Sequence, residues 1–379
     1  MSFHPSLRLP TFVIAMGTSL AFAQTNVADT IKLNQIQVIG SHNSYHAGIA
    51  PNEAKVWRTK YPGSFNGLDY SHPALTKQFD EGVRQIELDV YADTKGGRYA
   101  HPSGPSTVAA AGFSPDPDFD PSGIMNKPGF KVMHIQDLDY RSNCQPFTAC
   151  LTEVRTWSHA HPGHIPIFIL VETKQGSPKN EKLTVPEPFT SATFDALDGE
   201  IRSVFPSSEM ITPDDVRGSF ATLEEAVLAG NWPTLASARG KVIFLMDQHP
   251  VGPVYLEGHP SLRGRVLFTN SDPGLPDAAF LERNEGPVAD ITSLVRKGYL
   301  VRARTDSDTK EARTNDTTNR DAMMQSGAQI LSTDYPMGEP ARWSGNYVVT
   351  FKEGLDARCN PINAPKGCDS SLIGKPVPR

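Results

Sequence analysis

Glu87 and Asp89, two residues apart in Ile86-Glu87-Leu88-Asp89, are the first feature of this chain that suggests chemistry. In an extended segment alternate residues share a face, so both carboxylates point the same way. If that face is buried, two ionised carboxylates are costly without a cation between them. Glu172 and Lys174 repeat the spacing in Val171-Glu172-Thr173-Lys174, and Asn43 adds a neutral amide oxygen. Three carboxylates and an amide make a hard oxygen site, suited to Ca2+ or Mg2+ rather than zinc. His42 and His134 stand at the ends of two further apolar runs. A lone core histidine is usually a hydrogen-bonded spectator, but two histidines facing a carboxylate-bound cation suit acid/base work near neutral pH. A cation to hold a phosphate oxygen, histidines to move protons and a lysine to offset charge together describe metal-assisted phosphodiester cleavage.

These residues share one kind of position: each closes or lies near the end of a short apolar run. The runs are Ile36–Gly40, Val83–Tyr91, Lys131–Met133, Ile165–Val171, Val242–Met246, Arg265–Phe268, Tyr299–Val301 and Gln329–Leu331. Runs of this length bounded by turn residues read as buried strands. Helical patterns fit between several of them, at Leu151–His159, Phe194–Phe205, Leu223–Ala229, Ile291–Lys297 and Arg320–Ser326. Eight strands alternating with helices predict an α/β protein, a (β/α)8 TIM barrel, in which all strand C-termini converge on one mouth. An open doubly wound sheet would place a glycine-rich phosphate loop after its first strand, and Gly40-Ser41-His42-Asn43 has a single glycine. The insertion Ala92–Phe130 is expected on the C-terminal face, and the chain after Asp334 is expected to fold back on the barrel. The domain division is therefore a leader over 1–23, a barrel over 24–340 and a tail over 341–379.

The 379 residues carry 36 Lys+Arg against 42 Asp+Glu, a net charge of −6, with no basic block of the kind nucleic-acid binding requires. The 30 Gly and 32 Pro residues predict long loops. Arg8, the mostly apolar Thr11–Leu20 and Ala21-Phe22-Ala23 fit an export signal cleaved near Ala23, hence a secreted or periplasmic protein. No later run approaches the ~18 apolar residues of a transmembrane helix. Cys144/Cys150 and Cys359/Cys368 predict two local disulfides; neither pair has the C-x2-C spacing of a zinc site.

Gly40-Ser41-His42-Asn43-Ser44-Tyr45-His46, Ile86-Glu87-Leu88-Asp89, Met133-His134, Val171-Glu172-Thr173-Lys174 and the closing Ser332-Thr333-Asp334-Tyr335-Pro336 resemble, in order and spacing, the calcium-dependent phosphoinositide phospholipase C family of secreted microbial enzymes. The resemblance implies Ca2+, in preference to Mg2+, held by Asn43, Glu87, Asp89 and Glu172. It implies attack by the inositol 2-hydroxyl of phosphatidylinositol, release of diacylglycerol and formation of a cyclic inositol phosphate. His134 would be the general acid, His42 would stabilise the phosphorane or shuttle a proton, and Glu87 would add a base role to its ligand role. Lys174 and Arg304 would contact substrate, a phospholipid at a membrane or micelle surface, and the enzyme would act as a monomer. The basic cluster expected of an enzyme demanding extra ring phosphates is not evident. A glycerophosphodiester phosphodiesterase or sphingomyelinase-D-like enzyme on the same barrel is the main alternative, although the former usually places His-Arg where this chain has His42-Asn43. A non-catalytic secreted barrel binding lipid headgroups or polysaccharide is the second alternative.

Four further groups have plainer readings. His159, His161 and His164 precede a strand, so they belong at the N-terminal rim, where residues serve stability. His46, His101 and Asp247 could face the mouth, Asp247 being the best candidate to support the metal ligands. Arg304, Asp306 and Asp308 either shape the pocket or form a solvated loop. Asn315-Asp316-Thr317 matches a glycosylation sequon of the kind common by chance.

Overall fold

The computed structural model describes Met1, residues 30–176 and residues 182–377; apart from Met1, the expected leader lies outside these. The strands are β1 (Ile36–Ser41), β2 (Gln85–Tyr91), β3 (Lys131–Val132), β4 (Ile167–Thr173), β5 (Met210–Ile211), β6 (Val242–Met246), β7 (Leu267–Phe268), β8 (Phe280–Glu282), β9 (Leu300–Arg304), β10 (Ile330–Thr333) and β11 (Ala357–Cys359). Parallel pairing runs β8–β9–β10–β1–β2–β4–β6–β7. A parallel bridge between Asn270 and Phe280 joins β7 to β8 and closes the ring of eight. β1 and β6 are buried along their whole length, as expected of strands enclosed on one side by the barrel interior and on the other by helices.

The ring has eight members, but not the eight expected. Lys131–Met133 is corrected: β3 lies antiparallel on the upper end of β2, pairing Val90 with Val132 and Tyr91 with Lys131. The insertion leaves the C-terminal end of β2 and contains the helix Gly104–Ala110. It makes no crossover down to the base of the barrel, so the chain returns from the same end, and such a return gives an antiparallel strand. The vacant barrel position is taken by β8, three residues long and too short to stand out as an apolar run. The short β5 flanks the lower part of β6.

The five expected helices are present as Phe147–Ala160, Ser191–Val204, Leu223–Leu228, Val288–Lys297 and Thr318–Ser326. Val288–Lys297 buries Ile291, Leu294 and Val295 against the barrel and ends at Gly298, whose φ of 104° is the left-handed stop a glycine provides. Both expected disulfides are formed. No helix among the described residues is long and apolar enough to cross a membrane.

The tail closes a seam. β1 and β2 meet only at Gly40 and Gln85, where a Cβ on Gly40 would sit 2.0 Å from Gln85 Oε1. Below that point β11 pairs antiparallel with the start of β1, Ile36 opposite Cys359. Asp356, just before β11, accepts a 2.7 Å hydrogen bond from Arg84 Nη2, and both side chains are buried. Asp356→Ala strands that guanidinium, so unfolding should become easier by about 3–5 kcal/mol. Urea denaturation checks this.

The three N-terminal-rim histidines are structural, as expected. His159 pairs with Glu209 at 3.1 Å, His161 stacks on Trp157 with ring centroids 4.2 Å apart, and His164 is buried between Ser158 Oγ (2.7 Å) and the Ile165 carbonyl (2.6 Å). Burial pushes the His164 pKa down to about 4. Between pH 4 and 6.5 the unfolded chain therefore binds a proton that the folded chain does not, so stability falls as the pH drops through that window. The loss by pH 4 is roughly 3 kcal/mol. His164→Gln should flatten this part of a stability–pH curve.

Candidate active site

The acid cluster follows from strand register. Asp89 of β2 lies opposite Glu172 of β4, and Glu87 shares the inward face of β2 two residues below. One carboxylate oxygen from each of Glu87, Asp89 and Glu172 lies within 4.8 Å of the others. Glu87 and Asp89 are fully enclosed and Glu172 is half-buried. Asn43 occupies the loop after β1 in a left-handed conformation (φ 47°), where asparagine is tolerated. Its side chain donates to Tyr70 Oη (2.9 Å) and accepts from Tyr45 Oη (3.3 Å). Ser44 ties this loop to Glu87, its Oγ accepting from Glu87 N–H at 2.8 Å.

The electrostatics of the cluster are those of a site short of positive charge. Burial, with Glu172 alongside, pushes the Asp89 carboxyl well above the usual range, and burial with Asp247 and Glu172 nearby pushes Glu87 up despite Arg302. Both Asp89 oxygens are buried and lack a well-directed hydrogen bond, which is unusual for a native carboxylate; Oδ2 has only an ion pair with Lys174. Lys174 Nζ lies 3.1 Å from Asp89 and 2.9 Å from Glu172. Burial opposes the charge on Glu172, but Lys174 outweighs it and holds that carboxyl low. All-oxygen donors, orphaned lone pairs and surplus negative charge fit a hard divalent cation.

Arg302 of β9 lies on the opposite wall, buried, bonding Glu87, Asn284 Oδ1 (2.9 Å) and Ser332 Oγ (3.0 Å) and pairing with Glu282 at 3.4 Å. Asp247 lies close enough to Glu282, Glu87 and Glu172 for their negative charges to act on one another, so it joins the metal-site acids through charge.

Each mouth histidine is held by a carboxylate. His42 Nδ1 lies 2.7 Å from Asp334 Oδ1, and its Nε2 lies 3.6 Å from Glu87. His134 Nδ1 lies 2.9 Å from Asp139 Oδ2. An ionised carboxylate can only accept, so in both rings Nδ1 carries the donated proton and Nε2 is left for chemistry. Loss of hydration and then the guanidiniums of Arg304 and Arg302 drive the His42 pKa well down. Arg304 Nη2 lies 3.3 Å from Asp334, so this arginine braces the pair.

The expected residues His42, Asn43, Glu87, Asp89, His134, Glu172, Lys174 and Arg304 thus gather at one end of the barrel. His134 arrives by way of the antiparallel β3, with Met133 N bonded to Asp89 O, rather than at a barrel-strand end. His46 joins the site as a partner of Asp139, whereas His101 is exposed on the insertion. Sequence reading missed the roles of Asp139, Glu282, Arg302 and Asp334. Arg302 and Asp334 sit at strand ends already singled out, so position alone could have flagged them. Asp139 follows a turn with no periodic signal.

A barrel whose mouth joins a hard-oxygen cation site to two histidine–carboxylate pairs has the features of a phosphodiesterase. Residues 31–361 match the model of the family described as phosphoinositide phospholipase C, Ca2+-dependent. The chain belongs to that family of phosphodiesterases. Among solved structures, it is similar to the calcium-dependent phosphoinositol-specific phospholipase C from the Gram-negative bacterium Pseudomonas sp. In its apo form, myoinositol complex, this is 16% identical with a TM-score of 0.52, covering 88% of this chain and 96% of that one. The same enzyme in its apo form, crystal form 1, is 18% identical with the same TM-score and coverage. These likenesses concern the barrel fold. No curated protein sequence matches the chain.

Proposed function

We propose that this protein cleaves phosphatidylinositol to diacylglycerol and a cyclic inositol phosphate, with Ca2+ held by Asn43, Glu87, Asp89 and Glu172. The convergence of Glu87, Asp89 and Glu172 between two histidine–carboxylate pairs carries this reading. When bound, Ca2+ would lower the pKa of the attacking hydroxyl and offset charge on the phosphorus. The irregular, partly buried donor set suits Ca2+ better than the strict octahedron Mg2+ demands.

The chain's own groups divide the proton work. His42, with Nδ1 committed to Asp334 and two guanidiniums favouring its neutral form, takes the proton of the inositol 2-hydroxyl at Nε2. Glu87, already bonded to Arg302, is left as a ligand rather than a base. The hydroxyl oxygen bonds to phosphorus as the phosphorus–glycerol bond breaks, and His134 Nε2 donates a proton to the departing glycerol oxygen. Because the nucleophile is tethered to the phosphorus it attacks, much of the entropic cost is already met. Lys174 and Arg304 border the phosphate position. Lys174, Arg302 and Arg304 are each engaged by carboxylates, which favours an inositol ring without extra phosphates.

Two disulfides fit export to an oxidising compartment. The test is a panel of vesicles containing phosphatidylinositol, phosphatidylcholine or sphingomyelin, with glycerophosphodiesters in parallel. A water-soluble inositol phosphate should form from phosphatidylinositol, and the other substrates should be left uncleaved. Choline freed from sphingomyelin, or glycerol phosphate formed from the glycerophosphodiesters, instead would move the chain to the alternative chemistry.

A further inference from the structure

One carboxylate in the mouth holds two imidazoles. Asp139 Oδ2 lies 2.9 Å from His134 Nδ1, and both Asp139 oxygens lie 2.9–3.0 Å from His46 Nε2. Asp139 is held ionised: burial opposes its charge, but His46 and His134 together hold the carboxyl well below its usual range. Its backbone is set by a tight turn in which Ile135 N bonds Asp139 O (3.0 Å) and Asp139 N bonds Ile135 O (2.8 Å). That turn places the Cα but leaves the carboxylate free to rotate about its own side-chain torsions.

His46 supplies the missing constraint. Its ring is completely buried, with the Tyr70 ring 4.8 Å away and the His134 ring edge-on at 6.4 Å. Its main chain is fixed as well: His46 N bonds Asn43 O and His72 N bonds His46 O, both at 2.8 Å. A ring so enclosed cannot reach a substrate, so its effect must pass through Asp139. We propose that His46 is a positioning residue for leaving-group protonation, gripping Asp139 so that His134 Nδ1 is pinned and Nε2 faces the departing oxygen. This rests on the reading of His134 as general acid.

The experiment compares two leaving groups. Phosphatidylinositol expels an alkoxide that needs a proton, whereas an inositol 4-nitrophenyl phosphodiester expels a phenolate that does not. His46→Leu should lower kcat on phosphatidylinositol by about 10–100-fold, the usual effect of losing such an outer partner, with KM little changed. Its turnover of the nitrophenyl substrate should change by less than about threefold. His46→Gln, whose amide N–H falls near Nε2, should recover most of the loss. If His46→Leu does not fold, as judged by circular dichroism and melting, His46→Asn replaces it, because its shorter amide does not reach Asp139. Equal losses on both substrates in a folded variant, or no loss on phosphatidylinositol, would overturn the proposal. His134→Ala is run beside it. If that variant is itself indifferent to the leaving group, the general-acid reading falls, and a His46 failure beside a leaving-group-selective His134→Ala counts against His46 alone.

Discussion

Asp89→Asn is expected to reduce turnover of phosphatidylinositol by roughly 10³-fold at a fixed calcium concentration, the several kcal/mol that a Lewis-acidic cation contributes to such a transition state. The substitution keeps the shape of the side chain and removes one of three clustered charges. Asp89 is the sharpest choice because both its oxygens are buried without a well-directed hydrogen bond and its ion-pair partner Lys174 is shared with Glu172, which leaves negative charge for a metal ion to offset. A second readout is independent of activity. Calcium held by the folded parent should raise its Tm in proportion to the logarithm of the calcium concentration. The variant's Tm should respond little. A variant that still melts higher with calcium, to the same extent as the parent, would remove Asp89 from the ligand set.

His134→Ala is expected to lower kcat by about 10²–10⁴-fold, the range for loss of a positioned general acid, while leaving the calcium response of Tm intact. The two variants therefore fail differently: one loses the cation and its chemistry, the other only the chemistry. The geometry supports the distinction. His134 is bonded to Asp139 and enters on β3, whereas the acids lie on β2 and β4. Activity within tenfold of the parent would show that another group protonates the glycerol oxygen.

What could be read from the residues alone was governed by period and length. Glu87 and Asp89 share a face because strand geometry repeats every two residues, and Glu172 joins them because β4 pairs with β2 in the register that sets Asp89 beside it. The residue spacing shows the first of these; only the fold shows the second. The barrel was legible because its strands are buried on both faces and read as unbroken apolar runs. That signal does not record direction, so Lys131–Met133, with the same composition as a barrel strand, was placed in the ring although it lies antiparallel across the top of β2. β8 escaped for the opposite reason, being three residues long. With β8 went Glu282, and with it the wall that Arg302 and Asp247 share. Asp139 was illegible because a carboxylate that pairs with residues 93 and 5 positions away has no periodic pattern to betray it.

In the proposed reaction calcium and a tethered hydroxyl act together. Phosphorus NMR of the soluble product formed from phosphatidylinositol, with and without chelator, addresses both at once. A cyclic inositol phosphate is expected as the first product, its formation abolished by chelator and restored by added calcium. An acyclic inositol phosphate or free inositol as the first product, or undiminished turnover in chelator, would contradict it.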